Sequence, residues 1–442
     1  MTPLAALLLV ALPGDPVAAS PAPAAEAGEG MPAAVTLTLE EARALLERQN
    51  PNLEEARARA SAALAVVRQA AAPLLPSVGA TGGYARNNAQ AVFSFPNLPG
   101  FPTGTVYIQP LEAWAVGGTF RVPLLVPEGW YALAASRDSA LAAAASAEAT
   151  LLTLRKTLVE TAWIAWAGEE IVAASRRALA AAREQAESAR RQVAAGTGVP
   201  LAVLQAETAA IRRESELVAE RSETARARLA VGVLLGRSEP VRIAMPPAEP
   251  PASFDVPGLT AQALEQRPDL RAQAAQVSSR ENQVASAEWR FAPEISASGS
   301  AFAQTAPYPT GLKNGWRATV DLTWTLYDGG LRYGLARQAR AEVAEARAAG
   351  ERTRLEVVEE VANAVRDVDV ARSRLWLASR ERATAAEAAA SARRGFREGI
   401  ASSLDVISAN QVLFEAEVQV ADSSARLGGA LAELDRAVGR AP

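Results

Sequence analysis

The stretch Trp316-Arg317-Ala318-Thr319-Val320-Asp321-Leu322-Thr323-Trp324-Thr325-Leu326-Tyr327 decides how this chain folds. Trp316, Ala318, Val320, Leu322, Trp324 and Leu326 alternate with Arg317, Thr319, Asp321, Thr323, Thr325 and Tyr327. Successive side chains of a strand point to opposite faces, so the alternation predicts a strand with one apolar and one wet face. Trp316 and Trp324 stand eight residues apart, roughly 26 Å at about 3.3 Å per residue. Before any tilt, that is close to the apolar band of an outer-membrane barrel between its aromatic girdles, about 25 Å tall. Trp114, Val116, Gly118, Phe120, Val122 and Leu124 repeat the pattern, with Trp114 placed 202 residues before Trp316. Such strands fit a sandwich on a soluble core or a barrel between lipid and a wet lumen. The barrel is the expected setting, because two matching hairpins accompany an export signal, read from the short apolar core Pro3 to Leu12 and the small residues Val17-Ala18-Ala19 before Ser20.

Working outward, the chain reads as one unit written twice. Pro51-Asn52-Leu53 and Pro268-Asp269-Leu270 lie 217 residues apart, as do Pro76-Ser77-Val78-Gly79-Ala80 and Pro293-Glu294-Ile295-Ser296-Ala297. Arg190-Arg191 and Gly196 answer Arg393-Arg394 and Gly399 at 203. The difference, 217 less 203, leaves about 14 extra residues in the first copy, in the Pro- and aromatic-rich connection 84–118. Each copy begins with short helices; Thr38 and Glu41 have capping-box spacing, and Pro51 suits a first helical turn. Residues 130–195 contain no proline, and at about 1.5 Å per residue they predict roughly 100 Å of helix. Residues 331–398 predict a second such run, with Gly350 and Gly395 as its expected interruptions. Both are rich in Ala, Arg, Glu and Leu, which suits close antiparallel, coiled-coil-like packing. The runs turn back at Gly196-Thr197-Gly198-Val199-Pro200 and Gly399-Ile400-Ala401-Ser402-Ser403, with return helices over 201–235 and 404–438.

The expected organisation is a signal peptide (1–19), a flexible leader (20–35), a first repeat (36–236), a Pro-rich linker (237–257) and a second repeat (258–442). The repeats carry β-hairpins at about 77–125 and 295–327, and long helical hairpins at about 130–235 and 331–439. The formal charge of −4 offers no basic field for nucleic acid. The chain has neither cysteine nor histidine, so disulfides, thiolate catalysis and the commonest general base and metal ligand are excluded. Adjacent carboxylates (Glu40-Glu41, Glu169-Glu170, Glu359-Glu360) diverge by about 100° on a helix and read as solvated faces. Trp163, Trp166 and Trp376 read as packing anchors. No cofactor, metal or enzymatic site is expected.

One hairpin per repeat gives four membrane strands, too few to close a barrel, and an open edge is not viable in lipid. The strands therefore imply a barrel shared between chains, twelve strands in a trimer, with the long helices forming a hollow cylinder. The expected fold is an α+β membrane protein: an antiparallel α-helical barrel, a shared β-barrel and two internal repeats. The duplicated layout, Arg267-Pro268-Asp269-Leu270-Arg271, Leu326-Tyr327-Asp328-Gly329-Gly330 and Gly399-Ile400-Ala401-Ser402-Ser403-Leu404-Asp405-Val406 together resemble the outer-membrane efflux proteins of Gram-negative bacteria, the TolC-like channels. The resemblance covers about residues 36–439.

What the resemblance implies is a homotrimeric exit duct of a tripartite efflux pump. It would sit in outer-membrane lipid, extend into the periplasm, and meet a periplasmic adaptor protein that links it to an inner-membrane pump. Small toxic molecules are the implied cargo, with type I protein secretion or metal export as alternatives; a soluble exported coiled-coil scaffold is the remote one. Members are often lipid-anchored through an N-terminal cysteine; none exists here, which leaves anchoring to the barrel. Carried onto this chain, the adaptor-docking tip is Gly196, Thr197, Gly198 and Val199 with Gly399, Ile400, Ala401 and Ser402. Asp405, with Arg394 and Arg397 beside it, falls at the periplasmic entrance constriction, where an acidic ring would select cations. The neighbouring acidic position of some relatives is Ser408 here, and the first-copy counterpart of Asp405 is Ala202. An aspartate there also suits a helix N-terminus. Arginine pairing with Glu398 or Asp405 would hold the tip shut. Trp114, Trp316 and Trp324 are the expected membrane girdle, and Phe93, Phe95, Phe101 and Tyr107 an expected cap on the outer mouth.

Overall fold

A computed structural model describes residues 35–94, 105–248, 253–305 and 313–441. Strand β1 (Val35–Thr38) runs into α1 (Leu39–Gln49), whose capping box forms as expected: Thr38 Oγ1 accepts from Glu41 N–H, and the Glu41 carboxylate accepts from Thr38 N–H at 2.8 Å. Pro51 opens α2 (Pro51–Ala71). β2 (Ser77–Arg86), a small ribbon of β3 (Ala91–Ser94) and β4 (Thr105–Gln109), and β5 (Glu112–Leu125) follow. The ribbon lies in the stretch where the first copy is longer; Phe95 and Phe101, like the expected signal peptide and most of the leader, lie outside the described residues. Next come α3 (Pro127–Ala194), α4 (Pro200–Leu234), β6 (Val241–Ala244), α5 (Val256–Gln266), α6 (Pro268–Trp289), β7 (Glu294–Gln304), β8 (Asn314–Thr323), α7 (Leu331–Arg397) and α8 (Ser403–Val438).

α3 and α7 set the length of the molecule, 68 and 67 residues, about 100 Å each. α7 passes unbroken through Gly350 and Gly395; one helical glycine costs only about 1 kcal/mol, little against a packed helix of this length. In the half next to the sheet, α2 and α6 flank α3, and α6 also meets α7; in the other half α4 and α8 take those places. Alanine makes the seams narrow: Ala162, Ala165, Ala189, Ala206, Ala389 and Ala416 are all buried. The indole of Trp163 sits on Gly428 of α8, where an added Cβ would lie 2.1 Å from its Nε1.

Halfway along, a belt of short elements covers one side of this wall. β1 pairs in parallel with β6, and Leu46, Leu53, Leu158, Leu235 and Val241 form one core beneath them. α5 closes a second core of Val357, Val361, Val368, Leu427 and Val438. The expected linker 237–257 thus carries a strand and the start of a helix, and the expected leader ends inside β1. The reason is tertiary: Val241 and Ile243 alternate into the core while Arg242 and Ala244 face out, a pattern too short to read without its partner.

The main sheet is antiparallel in the order β2-β5-β7-β8. β8 runs from Asn314 to Thr323, so the strand expected over 316–327 starts two residues earlier and ends four residues earlier. Its neighbour supplies no further backbone: Thr323 pairs with Glu294, the first residue of β7, and Pro293 has no N–H to offer. Trp324 instead donates its Nε1 to Phe291 O at 3.0 Å. Asp328 then accepts from Gly330 N–H and Arg332 N–H at the start of α7.

Candidate functional site

Register puts the apolar positions of all four strands on one face. Val78, Ala80 and Tyr84 of β2 lie opposite Phe120, Gly118 and Trp114 of β5. Phe120, Gly118 and Val122 in turn lie opposite Gly299, Ala301 and Ala297 of β7, and those last three opposite Ala318, Trp316 and Val320 of β8. Among the described residues nothing covers this face: Val78 is 86% exposed, Trp316 79% and Val320 71%. A continuous apolar surface this large marks contact with a membrane or another protein. The other face is polar, with Thr81, Arg121, Ser298, Arg317, Thr319 and Asp321. There Ser298 and Thr319 both donate to the Asp321 carboxylate, at 3.2 and 2.9 Å. β2 and β8 are the two ends of the sheet, each with one neighbour.

Trp114 and Trp316 lie on the apolar face as expected, whereas Trp324 lies beyond the strand. It belongs to a group the sequence reading otherwise missed. Trp130, Tyr131, Trp289, Phe291, Tyr327 and Tyr333 gather where sheet passes into helix. Tyr131 stacks on Trp289 at 6.2 Å and Phe291 meets Tyr333 edge-on at 5.0 Å. The available signal was position: each sits within a few residues of a strand–helix boundary. Amphipathic rings at such a level are the usual interface anchors of a membrane protein.

At the far end the two helical turns share one backbone and differ in sequence. Gly196 (φ 73°) and Gly399 (φ 77°) take the left-handed conformation that ends a helix. Thr197 and Gly198 N–H both donate to Gln192 O at 3.0 Å, and Ile400 and Ala401 N–H donate to Gly395 O at 2.8 and 3.1 Å. The turn residue therefore presses on the residue six before it. Gly198 faces Gln192, where an added Cβ would lie 2.9 Å from the Gln192 carbonyl carbon and 2.8 Å from Val193 N. Ala401 faces Gly395, whose added Cβ would lie 3.2 Å from the Ala401 Cβ. Each turn has room for one side chain at this contact, and the two copies place it on opposite partners. Gly198→Ala should lower the stability of the first turn by about 1–2 kcal/mol, read as increased amide exchange over 192–200. Gln192→Gly in the same chain should restore little of it, since the closest atoms are the backbone C of Gln192 and N of Val193 and a further helical glycine costs about 1 kcal/mol.

Val199 and Ile400 are exposed at these turns, with Leu201 and Leu404 beginning the return helices; Thr197, Gly196, Gly399 and Ser402 are exposed and Gly198 and Ala401 half-buried. The Asp405 carboxylate closes a capping box: it accepts from Ser402 N–H and Oγ–H, both at 2.7 Å, and Asp405 N–H donates back to Ser402 Oγ. Those bonds from Ser402 hold its pKa below the ordinary carboxylate value. The expected tip pairing does not form within the chain. Among the described residues neither Arg394 nor Arg397 makes an ion pair with Asp405 or Glu398. The nearest ionic link is Arg190, on Glu187 at 2.6 Å and Glu207 at 2.7 Å. Unforeseen was Arg213 of α4, buried, held by Glu216 at 2.6 Å, bonded to Gln411 of α8 and lying over the Phe414 ring at 4.4 Å.

Between the two ends, Asn50 and Arg267 tie the belt to the wall at matching places. Asn50 Nδ2 donates to Leu234 O at 2.7 Å, and Arg267 Nη1 to Ala437 O at 3.3 Å; these carbonyls lie at the C-terminal ends of α4 and α8. Arg267 is 5% exposed and also grips Asp269 at 3.0 and 2.6 Å and Glu360 at 2.6 Å. Glu360 accepts from Arg436 as well, Arg436 from its side pairs with Glu433, and Glu433 meets Lys156 of α3. Glu359-Glu360 is thus not simply a solvated face. Trp163 is buried as expected, with Trp166 edge-on at 5.2 Å, but Trp376 is exposed beneath Arg380 rather than anchoring a core. Burial opposes ionisation of Asp269 and Glu433, and their arginine partners outweigh it, so both titrate below the usual carboxylate range.

The chain matches the family described as outer membrane efflux protein over residues 43–237 and 259–440. It is 31% identical to outer membrane protein OprJ of Pseudomonas aeruginosa over 188 residues, 41% of this chain and 39% of OprJ. It is 31% identical to protein CyaE of Bordetella pertussis over 183 residues, 41% of this chain and 38% of CyaE. The matched part spans less than half of either relative. The solved structure of the outer-membrane channel OprN superposes with a TM-score of 0.75 at 23% identity, covering 91% of this chain and 89% of OprN. The outer membrane protein VceC of Vibrio cholerae gives 0.75 at 20%, covering 91% and 96%. CusC gives 0.77 at 17%, covering 91% and 92%. At these identities the structural likeness is one of fold.

Proposed function

The chain belongs to the outer membrane efflux protein family, and on that premise we propose that it is the trimeric outer-membrane exit duct of a tripartite efflux pump for small toxic molecules. The observation that carries this reading is the uncovered apolar face shared in register by four strands. Lipid is the solvent that suits it, and lipid does not tolerate the open edges at β2 and β8. Pairing β8 of one copy with β2 of the next, three times over, removes every edge and turns the polar faces inward around a wet lumen. The tyrosines and tryptophans at the sheet–helix junction then mark one membrane interface, and Tyr84, Trp114 and Trp316 the other. The long helices continue the conduit away from the membrane, in the periplasm of a Gram-negative cell.

The tip is where the duct receives its cargo. Ile400 is 81% exposed, and with Val199, Leu201 and Leu404 it offers apolar contacts to the helical hairpin of a periplasmic adaptor, itself attached to an inner-membrane pump. Asp405, repeated by the three-fold axis, presents an acidic ring to entering cations, while Arg394 and Arg397, in no ion pair among the described residues, are available to neighbouring copies. Deleting the gene in its host should raise cellular accumulation of a toxic dye, and wild-type chain should reverse it; unchanged accumulation would count against the efflux role. Ile400→Asp with Leu404→Asp should leave the membrane trimer intact yet fail to restore export, since a charge in the centre of an apolar contact costs about 2 kcal/mol or more per copy.

A further inference from the structure

A groove of about 980 Å3 runs between α4 and α8 along α3. It opens on the side of the wall opposite the belt. On α3, Leu158, Ala162 and Ala165 enter the belt core, whereas Glu160, Ile164 and Ile171 line the groove; Ala162 and Ile164 differ by about 200° around the helix. With the belt on the outside of the duct proposed above, this side faces the lumen. Six carboxylates and two guanidinium groups line it, over a floor of isoleucine, alanine and glycine. Glu160 and Glu433 are paired with Lys156, and Glu223 with Arg226. Glu220 of α4 and Asp422 of α8 are in no ion pair among the described residues, and Arg426 pairs with neither. Burial, and then the charges of Asp422, Glu223 and Glu216, push the Glu220 carboxyl above its ordinary value. The protein thus holds three unneutralised carboxylates from three helices, Glu220, Asp422 and Asp367 of α7, above an apolar floor.

We propose that this groove is an internal resting site for amphipathic organic cations, with the apolar body on Ile164 and Ile171 and the cationic head between Glu220 and Asp422. The proposal rests on the duct reading, which makes this face accessible to cargo. The probe is rhodamine 6G, an amphipathic cation, titrated by fluorescence anisotropy into full-length wild-type chain and into Glu220→Gln/Asp422→Asn, both in the same detergent. Dye taken up by micelles cancels in the difference between the two proteins. The expected result is affinity at least about tenfold weaker in the variant, with fluorescein, an anion of similar size, bound by neither. Equal rhodamine affinity in the two proteins, or equal binding of fluorescein, would overturn the site. The two proteins are also sized in detergent. A trimeric wild type with equal affinities removes the groove alone, whereas a chain that forms no membrane trimer removes the reading beneath it.

Discussion

Val320→Arg should abolish stable membrane assembly, while Thr319→Arg, one residue away, should be tolerated. Val320 points from the middle of β8 to the apolar face, opposite Ala297; Thr319 points to the polar face beside Ser298 and Asp321. An arginine facing lipid near the bilayer midplane costs about 2–4 kcal/mol, and three-fold repetition makes the loss roughly 6–12 kcal/mol per trimer, comparable with the whole stability of a folded domain. On the polar face the arginine stays solvated. The check is the amount of each variant recovered as unheated trimer from the outer-membrane fraction. Equal recovery of the two would mean that the apolar face meets water or a soluble partner.

Arg267→Ala should destabilise the belt by about 2–3 kcal/mol. Truncating one partner of a fully buried pair costs about 3–5 kcal/mol because a charge is left uncompensated. Asp269 and Glu360 are each more than a third exposed, so water recovers part of that. Arg267→Lys keeps the charge but loses the fork that spans Asp269, Glu360 and the Ala437 carbonyl, and should fall between the two. Asn50→Ala, at the uncharged counterpart, should cost less, about 1–2 kcal/mol for two hydrogen bonds. The denaturant midpoints of the four proteins should therefore order as wild type, Asn50→Ala and Arg267→Lys, then Arg267→Ala. The belt should also be acid-sensitive. Asp269 and Glu433 titrate below their unfolded values, so their contribution is complete above about pH 5 and is lost as the pH falls through the lowered folded values. Arg267→Ala, which frees Asp269, should flatten that dependence between about pH 5 and pH 3; an unaltered profile would mean that the clasp contributes nothing.

The strands and long helices were legible because their signals are local and periodic. Alternation from Trp316 to Thr323 and the proline-free helical runs needed no partner to be read. The chain length of β8 was overestimated because its end is decided by Pro293 on the neighbouring strand, 30 residues earlier in the chain than Thr323. β1 and β6 were invisible for the same reason: four residues each, made strands by one another and by the core under them. Arg267-Pro268-Asp269-Leu270 was recognisable as a motif, but nothing in its spelling said that the arginine reaches Glu360 and Ala437. At the tip, Asp405 could be read as a ring former or as a helix cap. The structure forms the cap, and a capped carboxylate remains an exposed negative charge. Arg213 gave no signal at all, since its partners on α8 lie about 200 residues away.

The claim on which the rest depends is that three copies complete one barrel in lipid. The most direct measurement is the mass of the full-length chain, extracted from outer membranes with detergent, kept unheated and sized by light scattering with the detergent contribution subtracted. The account predicts three chains of 46.2 kDa each, less any cleaved signal, released only by detergent. A single chain, or material washed from the cell without detergent, would contradict it.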